Sequence, residues 1–376
     1  MSSPSWALLA TILDDPRLDK ARESRLRTRP SMTDLLNDLD WQPPAQWQKI
    51  TTIEMHTGGE PLRVFTSGLP PIEGHTVLEK RRYFREHYDY IRTGTMWEPR
   101  GHADMYGAII TPSRDADLDV FFLHNEGYST MCGHAIIALT KLVIETGMVR
   151  TEGEVAQVTF NVPAGRIYAR AVIEDGKIRE TSFRNVPSFL YLRNQSVEVS
   201  GLGAVRFEVA FGGAFYAFVE AEPLGLQLAA DDYSRLIDYG RRIKQAVAAN
   251  YSIEHPFEKD LSFLYGTIFI GRAENANHHS RNVCVFAEGE VDRSPTGTGV
   301  SARAAIHFAK GELQLNERIT IESIVGSVMT VAAVEATRFG PYEAIIPEVS
   351  GTASITGRNE FYFDPDDPFR EGFILR

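Results

Sequence analysis

Two stretches of this 376-residue chain repeat each other at a constant interval. One reads Glu126-Gly-Tyr-Ser-Thr-Met-Cys132-Gly133-His134 and continues as an apolar run to Gly147. The other reads Asp292-Arg-Ser-Pro-Thr296-Gly297-Thr298-Gly299 and continues to Gly311. Positions 132, 133 and 147 find their counterparts 164 residues later, at 296, 297 and 311. An earlier echo pairs Thr57-Gly58-Gly59 with Phe211-Gly212-Gly213, at an interval of 154 from 58 to 212. The copies therefore differ by about ten residues of loop, and the chain reads as two homologous lobes.

The surrounding pattern gives each lobe its texture. Short alternating runs such as Ile50 to Glu54, Val155 to Val162, Val205 to Phe211 and Val328 to Val334 predict strands. Helices are expected at 132–146, 231–249 and 299–310, with Gly147 and Gly311 as left-handed stops. The helices at 132 and 299 are apolar on most faces, so each belongs inside a lobe, wrapped by sheet. In the second, Arg303, His307 and Lys310 form one stripe, which predicts a wetter side. Residues 1–48 mix charges closely, end in Gln42-Pro-Pro-Ala45 and read as an extension, with possible short helices at 5–13 and 31–39. The first lobe is expected to span 49–190, with 350–376 returning to it, and the second 191–349.

The chemistry is expected at the two helix starts. A helix N-terminus presents unpaired N–H groups and a partial positive charge. Glycines there let a ligand reach the backbone, so Gly133 and Gly297 suit a carboxylate held between two such ends. Cys132 heads its helix, where a thiol pKa falls, which predicts a thiolate near neutral pH that acts as base or nucleophile. Cys284, inside a strand, reads as a buried structural thiol. Cys132 and His134 stand two residues apart, and on a helix their side chains diverge, which disfavours a Cys–His hydrolase pair or a zinc site built from them. The stretch Gly297 to Ala302 matches a dinucleotide fingerprint, but no strand directly precedes it. Asp292 can also be read as a simple cap.

These segments resemble the two signature motifs of the proline racemase family, Met131-Cys132-Gly133-His134 and Asp292-Arg293-Ser294-Pro295-x-Gly297-Thr298-Gly299. Further matches are Met55-His-Thr-Gly-Gly-Glu60-Pro61, Gly212-Gly-x-Phe215, Ile355-Thr-Gly357 and Asp364-Pro-x-Asp367-Pro368, so the resemblance spans about residues 50 to 376. It implies an α/β (α+β) fold of two pseudo-symmetric, diaminopimelate-epimerase-like lobes, each a sheet around a central helix, with the active site between them. It also implies a reaction without cofactor or metal, and a homodimer.

The resemblance assigns Cys132 as the base at Cα. Backbone N–H groups of Gly133, His134, Gly297 and Thr298 would hold the substrate carboxylate, with the His134 side chain near the ligand, and Asp292 would pair with the ring ammonium. Racemases of the family carry a cysteine where this chain has Thr296. Racemisation needs an acid–base group on each face of Cα, and a threonine hydroxyl does not ionise near neutral pH. One competent base suits elimination. The Cys132/Thr296 pairing is similar to that of family members that dehydrate trans-3-hydroxy-L-proline to pyrroline-2-carboxylate, and that is the expected activity. The alternatives are a proline racemase or hydroxyproline 2-epimerase, and a binding protein for imino acids that turns nothing over.

Asp and Glu outnumber Lys and Arg by 50 to 39, a net charge of −11, which argues against nucleic acid or an anionic membrane as a partner. No apolar run approaches the length of a membrane helix, and Trp6 to Leu13 lacks the basic flank of a secretory signal. With only two cysteines, a reducing, cytoplasmic location is expected.

Overall fold

The structure, a computed structural model, describes residues 41–150 and 152–375. The expected helices at 5–13 and 31–39 lie outside the described residues. From Gln48 onward the chain runs through two matching series of elements. The first comprises β1 (Gln48–Thr57), β2 (Glu60–Ser67), α1 (Val77–Met96), β3 (Gly107–Pro112), β4 (Leu118–Leu123), β5 (Tyr128–Ser129), α2 (Gly133–Glu145), β6 (Val155–Val162), β7 (Gly165–Glu174) and β8 (Lys177–Arg184). The second comprises β9 (Phe189–Val199), β10 (Gly203–Phe211), β11 (Phe215–Glu220), α3 (Tyr233–Asn250), β12 (Leu264–Gly271), β13 (Ser280–Phe286), β14 (Glu290–Val291), α4 (Gly297–Lys310), β15 (Arg318–Glu322), β16 (Val328–Phe339) and β17 (Tyr342–Gly351). The chain then adds β18 (Ala353–Phe363).

Strand pairing repeats along with the order. The parallel pairs β2–β3 and β4–β6 recur as β11–β12 and β13–β15. The antiparallel runs β1–β2, β3–β4 and β6–β7–β8 recur as β10–β11, β12–β13 and β15–β16–β17. β18 pairs with β1 as β9 pairs with β10, and an antiparallel β8–β17 pair joins the two series. The two pseudo-symmetric α/β lobes expected from the repeat are therefore present.

Each lobe encloses its apolar helix. In α2, every residue from Gly133 to Thr140 is buried, as are Leu142 and Val143. In α4, Gly297 to Ile306 are all buried. Full burial of a side chain such as Ile136, Ile137 or Leu139 contributes about 1.5–3 kcal/mol, so these helices anchor the lobes. Both stop on a left-handed glycine, Gly147 at φ 70° and Gly311 at φ 76°, as expected. The expected wet stripe on α4 needs correction at Arg303, which is only 7% exposed.

Helix α1 had no counterpart in the sequence reading. It opens on a capping box: the Glu79 amide donates to Thr76 Oγ1, and the Thr76 amide donates to Glu79 Oε2. Its buried face carries Lys80, Arg81 and Arg92 among the apolar residues, so the hydrophobic period is broken. Lys80 is neutralised by Asp119 at 2.8 Å, and Arg92 by Asp89 at 2.7 Å. No helix among the described residues is long and apolar enough to cross a membrane.

Candidate active site

The starts of α2 and α4 meet head to head. A Cβ added to Gly133 would lie 2.6 Å from the Gly297 Cα, and one added to Gly297 would lie 2.6 Å from the Gly133 Cα. Only glycine allows that approach. Neither helix start has a side-chain cap, so the first-turn N–H groups are left for a ligand. Gly299 packs its bare Cα against Ile268, where a Cβ would meet Cδ1 at 2.4 Å. The glycines that imitate a dinucleotide fingerprint thus serve close packing.

Turns hold both helix starts, within the first lobe through Thr57 and across the lobes through Thr130 and Glu60. The Thr57 hydroxyl donates to the His134 carbonyl at 2.8 Å, and Thr130 donates to the Gly213 carbonyl at 2.6 Å. Glu60, fully buried, accepts from the Arg293 amide at 2.7 Å, and Arg293 is paired with Asp104 at 2.8 Å. The Gly-Gly-Glu60 segment of the first lobe therefore positions the loop that carries Asp292 in the second.

All seven residues expected at the site surround one small cavity: Cys132, Gly133 and His134 on one side; Asp292, Thr296, Gly297 and Thr298 on the other. Its volume is about 20 Å³, room for about one water. Sequence reasoning missed Met131, Tyr106, Tyr216, Tyr265 and Phe286, which complete the wall. Met131 stood in the quoted motif without a role. The tyrosines and Phe286 carry no signal, because an aromatic residue in or beside a strand reads as ordinary core. Tyr216 is hydrogen-bonded to Thr298 Oγ1 at 2.6 Å, and Tyr106 to Ser129.

Two expectations about Cys132 are corrected. First, Cys132 Sγ lies 3.1 Å from His134 Nδ1, so the side chains converge. Cys132 is the N-cap, with extended φ −142° and ψ 107°, and the helical spacing rule does not reach it. Burial holds the imidazole pKa down at about 3, so the ring is neutral, and it also bonds the Pro61 carbonyl. A neutral ring has one N–H, and with that N–H on Pro61 its free nitrogen accepts the thiol proton in a hydrogen bond. Second, burial pushes the Cys132 thiol well above its ordinary pKa, with smaller upward pushes from Asp292 and Glu60. The Ala135 amide and Tyr106 hydroxyl act the other way but do not prevail. At this burial the cysteine is held as a thiol.

The opposite wall differs. Thr296 caps α4 at φ 70° and ψ 96°, a conformation rare for a branched residue that costs about 1–3 kcal/mol. Its hydroxyl faces Asp292 and Cys284, favouring the ionised form of each, without a hydrogen bond of good geometry among the described residues. Cys284 is fully buried. Burial raises the Asp292 carboxyl to about 6, against the opposing pull of the Ser294 hydrogen bond and of the nearby Thr296 hydroxyl. Burial, then the Asp292 charge, push Glu60 well above its ordinary value. Among the described residues no group of three or more His, Cys, Asp or Glu is placed to hold a metal.

Residues 52–374 match the protein family described as Proline racemase. Over 341 residues the chain is 51% identical to the trans-3-hydroxy-L-proline dehydratase of Colwellia psychrerythraea (strain 34H), covering 89% of this chain and 96% of that protein. Over 335 residues it is 45% identical to the Homo sapiens protein of the same name, covering 87% and 95%. A solved hydroxyproline epimerase from Agrobacterium vitis, with bound trans-4-hydroxy-L-proline, superposes with a TM-score of 0.83 at 27% identity, covering 88% of this chain and 96% of that one.

Proposed function

The chain belongs to the proline racemase family, and on that footing we propose that it dehydrates trans-3-hydroxy-L-proline to pyrroline-2-carboxylate without a cofactor. One observation carries the mechanism: two uncapped helix starts face each other across a cavity with one thiol, Cys132, and a threonine opposite. Backbone N–H groups of Gly133, His134, Gly297 and Thr298 bind the carboxylate and stabilise charge that spreads into it from Cα. Asp292 receives the ring ammonium. That ammonium draws the Cys132 proton equilibrium toward thiolate, opposing the burial that holds the thiol neutral.

Cys132 then takes the Cα proton. The C–H electron pair becomes the Cα–Cβ double bond, and the Cβ–O bond breaks. In the trans isomer the hydroxyl lies opposite the carboxylate and shares a ring face with the α-hydrogen. The thiol formed on that face returns its proton to the leaving hydroxide, so water departs and the thiolate is restored. Thr296 borders the other face. A five-membered ring needs more than the present 20 Å³, so entry requires the walls to part.

The lobe limits that go with this reading are 49–190 with 350–376, and 191–349; the pairing of β18 with β1 and of β9 with β10 supports them. A cytoplasmic homodimer acting on a small imino acid completes it, supported by two unpaired cysteines and by the family resemblance.

Incubation with trans-3-hydroxy-L-proline, trans-4-hydroxy-L-proline and L-proline separately is the direct test. Pyrroline carboxylate is expected from the first alone. Brisk interconversion of L- and D-proline with the 3-hydroxy compound untouched would refute the proposal.

The pH dependence follows from Asp292. With its carboxyl at about 6 in the free protein, it is neutral below that pH and cannot pair with the ammonium. kcat/KM is expected to fall tenfold per unit as pH drops below about 6. Stability moves oppositely. The native carboxyl keeps its proton longer than the unfolded one, so its contribution to stability is lost as pH rises from about 4 to about 6. Asp292→Asn should abolish both dependences, and a pH profile left unchanged by that variant would count against the assignment.

A further inference from the structure

Hydroxide is a poor leaving group, and a cavity this small offers it no bulk solvent. Its departure needs a hydrogen-bond donor in the wall, on the ring face that Cys132 serves. Tyr106, just before β3, lines the cavity there. Its ring meets the His134 ring edge to face with centroids 4.9 Å apart, and His134 Nδ1 is 3.1 Å from Cys132 Sγ. The Tyr106 hydroxyl is hydrogen-bonded to Ser129 Oγ, on the segment that leads into Cys132. It also faces the sulfur, where it favours the thiolate.

The other donors in the wall are committed or stand elsewhere. Tyr216 is hydrogen-bonded to Thr298 Oγ1, on the α4 side. Tyr265 presents its hydroxyl to Tyr106 and Tyr216 rather than to the sulfur. The single N–H of the neutral His134 ring is taken by the Pro61 carbonyl. Thr296 borders the opposite face. Either oxygen can donate in the Tyr106–Ser129 contact, and with Ser129 donating, the Tyr106 proton is free for the cavity. Burial raises the phenol well above its ordinary pKa, so it stays a donor.

We propose that Tyr106 is a further catalytic residue, whose hydroxyl hydrogen-bonds the departing β-oxygen and so makes the 3-hydroxyl a leaving group. The inference rests on the dehydratase reading above. Before reaction the phenol donates to the Cys132 thiolate. Once the sulfur holds the Cα proton it no longer needs that donor, and the phenol turns to the oxygen beside it. The electron pair of the breaking Cβ–O bond goes to that oxygen, which takes the proton of the Cys132 thiol and a hydrogen bond from Tyr106. Water leaves, and Tyr106 keeps its own proton. The bond strengthens as negative charge builds on oxygen, so it acts on kcat rather than on binding.

The test separates proton abstraction from departure of the leaving group. Tyr106→Phe is expected to lower kcat for dehydration of trans-3-hydroxy-L-proline about 10²-fold. Exchange of the α-proton of recovered substrate with deuterated solvent should fall much less, so the ratio of exchange to dehydration rises at least about tenfold. With trans-3-fluoro-L-proline, which gives the same product and releases fluoride, a far weaker base than hydroxide, the variant should lose at least about tenfold less activity. Any loss in thiolate formation is common to both substrates and cancels in that comparison. Ser129→Ala, which frees the phenol from its partner without touching the ring, should raise the exchange ratio too, and this arm stands even if Tyr106→Phe does not fold. Exchange and dehydration lowered equally in a folded variant, or equal losses on the hydroxy and fluoro substrates, would overturn the role of Tyr106. Wild-type protein that forms no pyrroline carboxylate from the 3-hydroxy compound would refute the dehydratase reading itself.

Discussion

Replacing Cys132 with alanine is expected to lower kcat for dehydration about 10³–10⁴-fold, the upper range for loss of a positioned base. The protein should stay folded. Cys132 lies outside the regular turns of α2, and its side chain makes no cap. Its loss removes one sulfur from a cavity wall and leaves the packed run from Ala135 to Val143 intact. Exchange of the α-proton of recovered substrate with deuterated solvent should disappear along with turnover. Cys132→Ser sharpens the test. A serine hydroxyl can still bond His134 Nδ1, now 3.1 Å from the sulfur, yet it does not ionise near neutral pH. It should therefore be nearly as inactive as alanine. A folded Cys132→Ala protein that still exchanges the α-proton would remove the cysteine from the mechanism.

How much of this was legible beforehand depends on which signals are local. The α2 and α4 starts were legible because a glycine-bearing helix start repeats at a fixed interval, and the uncapped ends and the 2.6 Å approach of Gly133 to Gly297 follow from those residues. The direction of the Cys132 shift was not. A sequence shows the helix end that lowers a thiol pKa, but not the walls that desolvate it, and Tyr106, Tyr216 and Tyr265 reach the cavity from separate parts of the chain. The Cys132–His134 contact was hidden because the N-cap residue leaves helical geometry, although the two are neighbours in sequence. β18 escaped because its residues from Ser354 to Glu360 are exposed, so no period-two hydrophobic pattern marks it. Helix α1 had a readable start in Thr76 and Glu79, and buried basic residues masked its face.

The asymmetry of the cavity can be undone with one atom group. Thr296→Cys places a second thiol at an uncapped helix start, facing the side of Cα that Cys132 does not serve. The backbone tolerates it: at φ 70° a branched threonine is already strained, and cysteine drops the branch. A proton taken by one sulfur can then be replaced from the other, so L-proline should yield D-proline at a rate roughly 10²–10⁴-fold above the wild type. In deuterated water the D-proline formed should carry deuterium at Cα from its first appearance, because the returning sulfur takes its hydrogen from solvent. Dehydration of the 3-hydroxy compound should persist, since Cys132 and the ring face it serves are unchanged. The double variant Cys132→Ala with Thr296→Cys should lose both activities, as it again leaves a single thiol, now on the face away from the β-hydroxyl. If the single variant folds and neither exchanges nor inverts proline, one base more or less is not what separates elimination from racemisation here, and the role given to Thr296 fails.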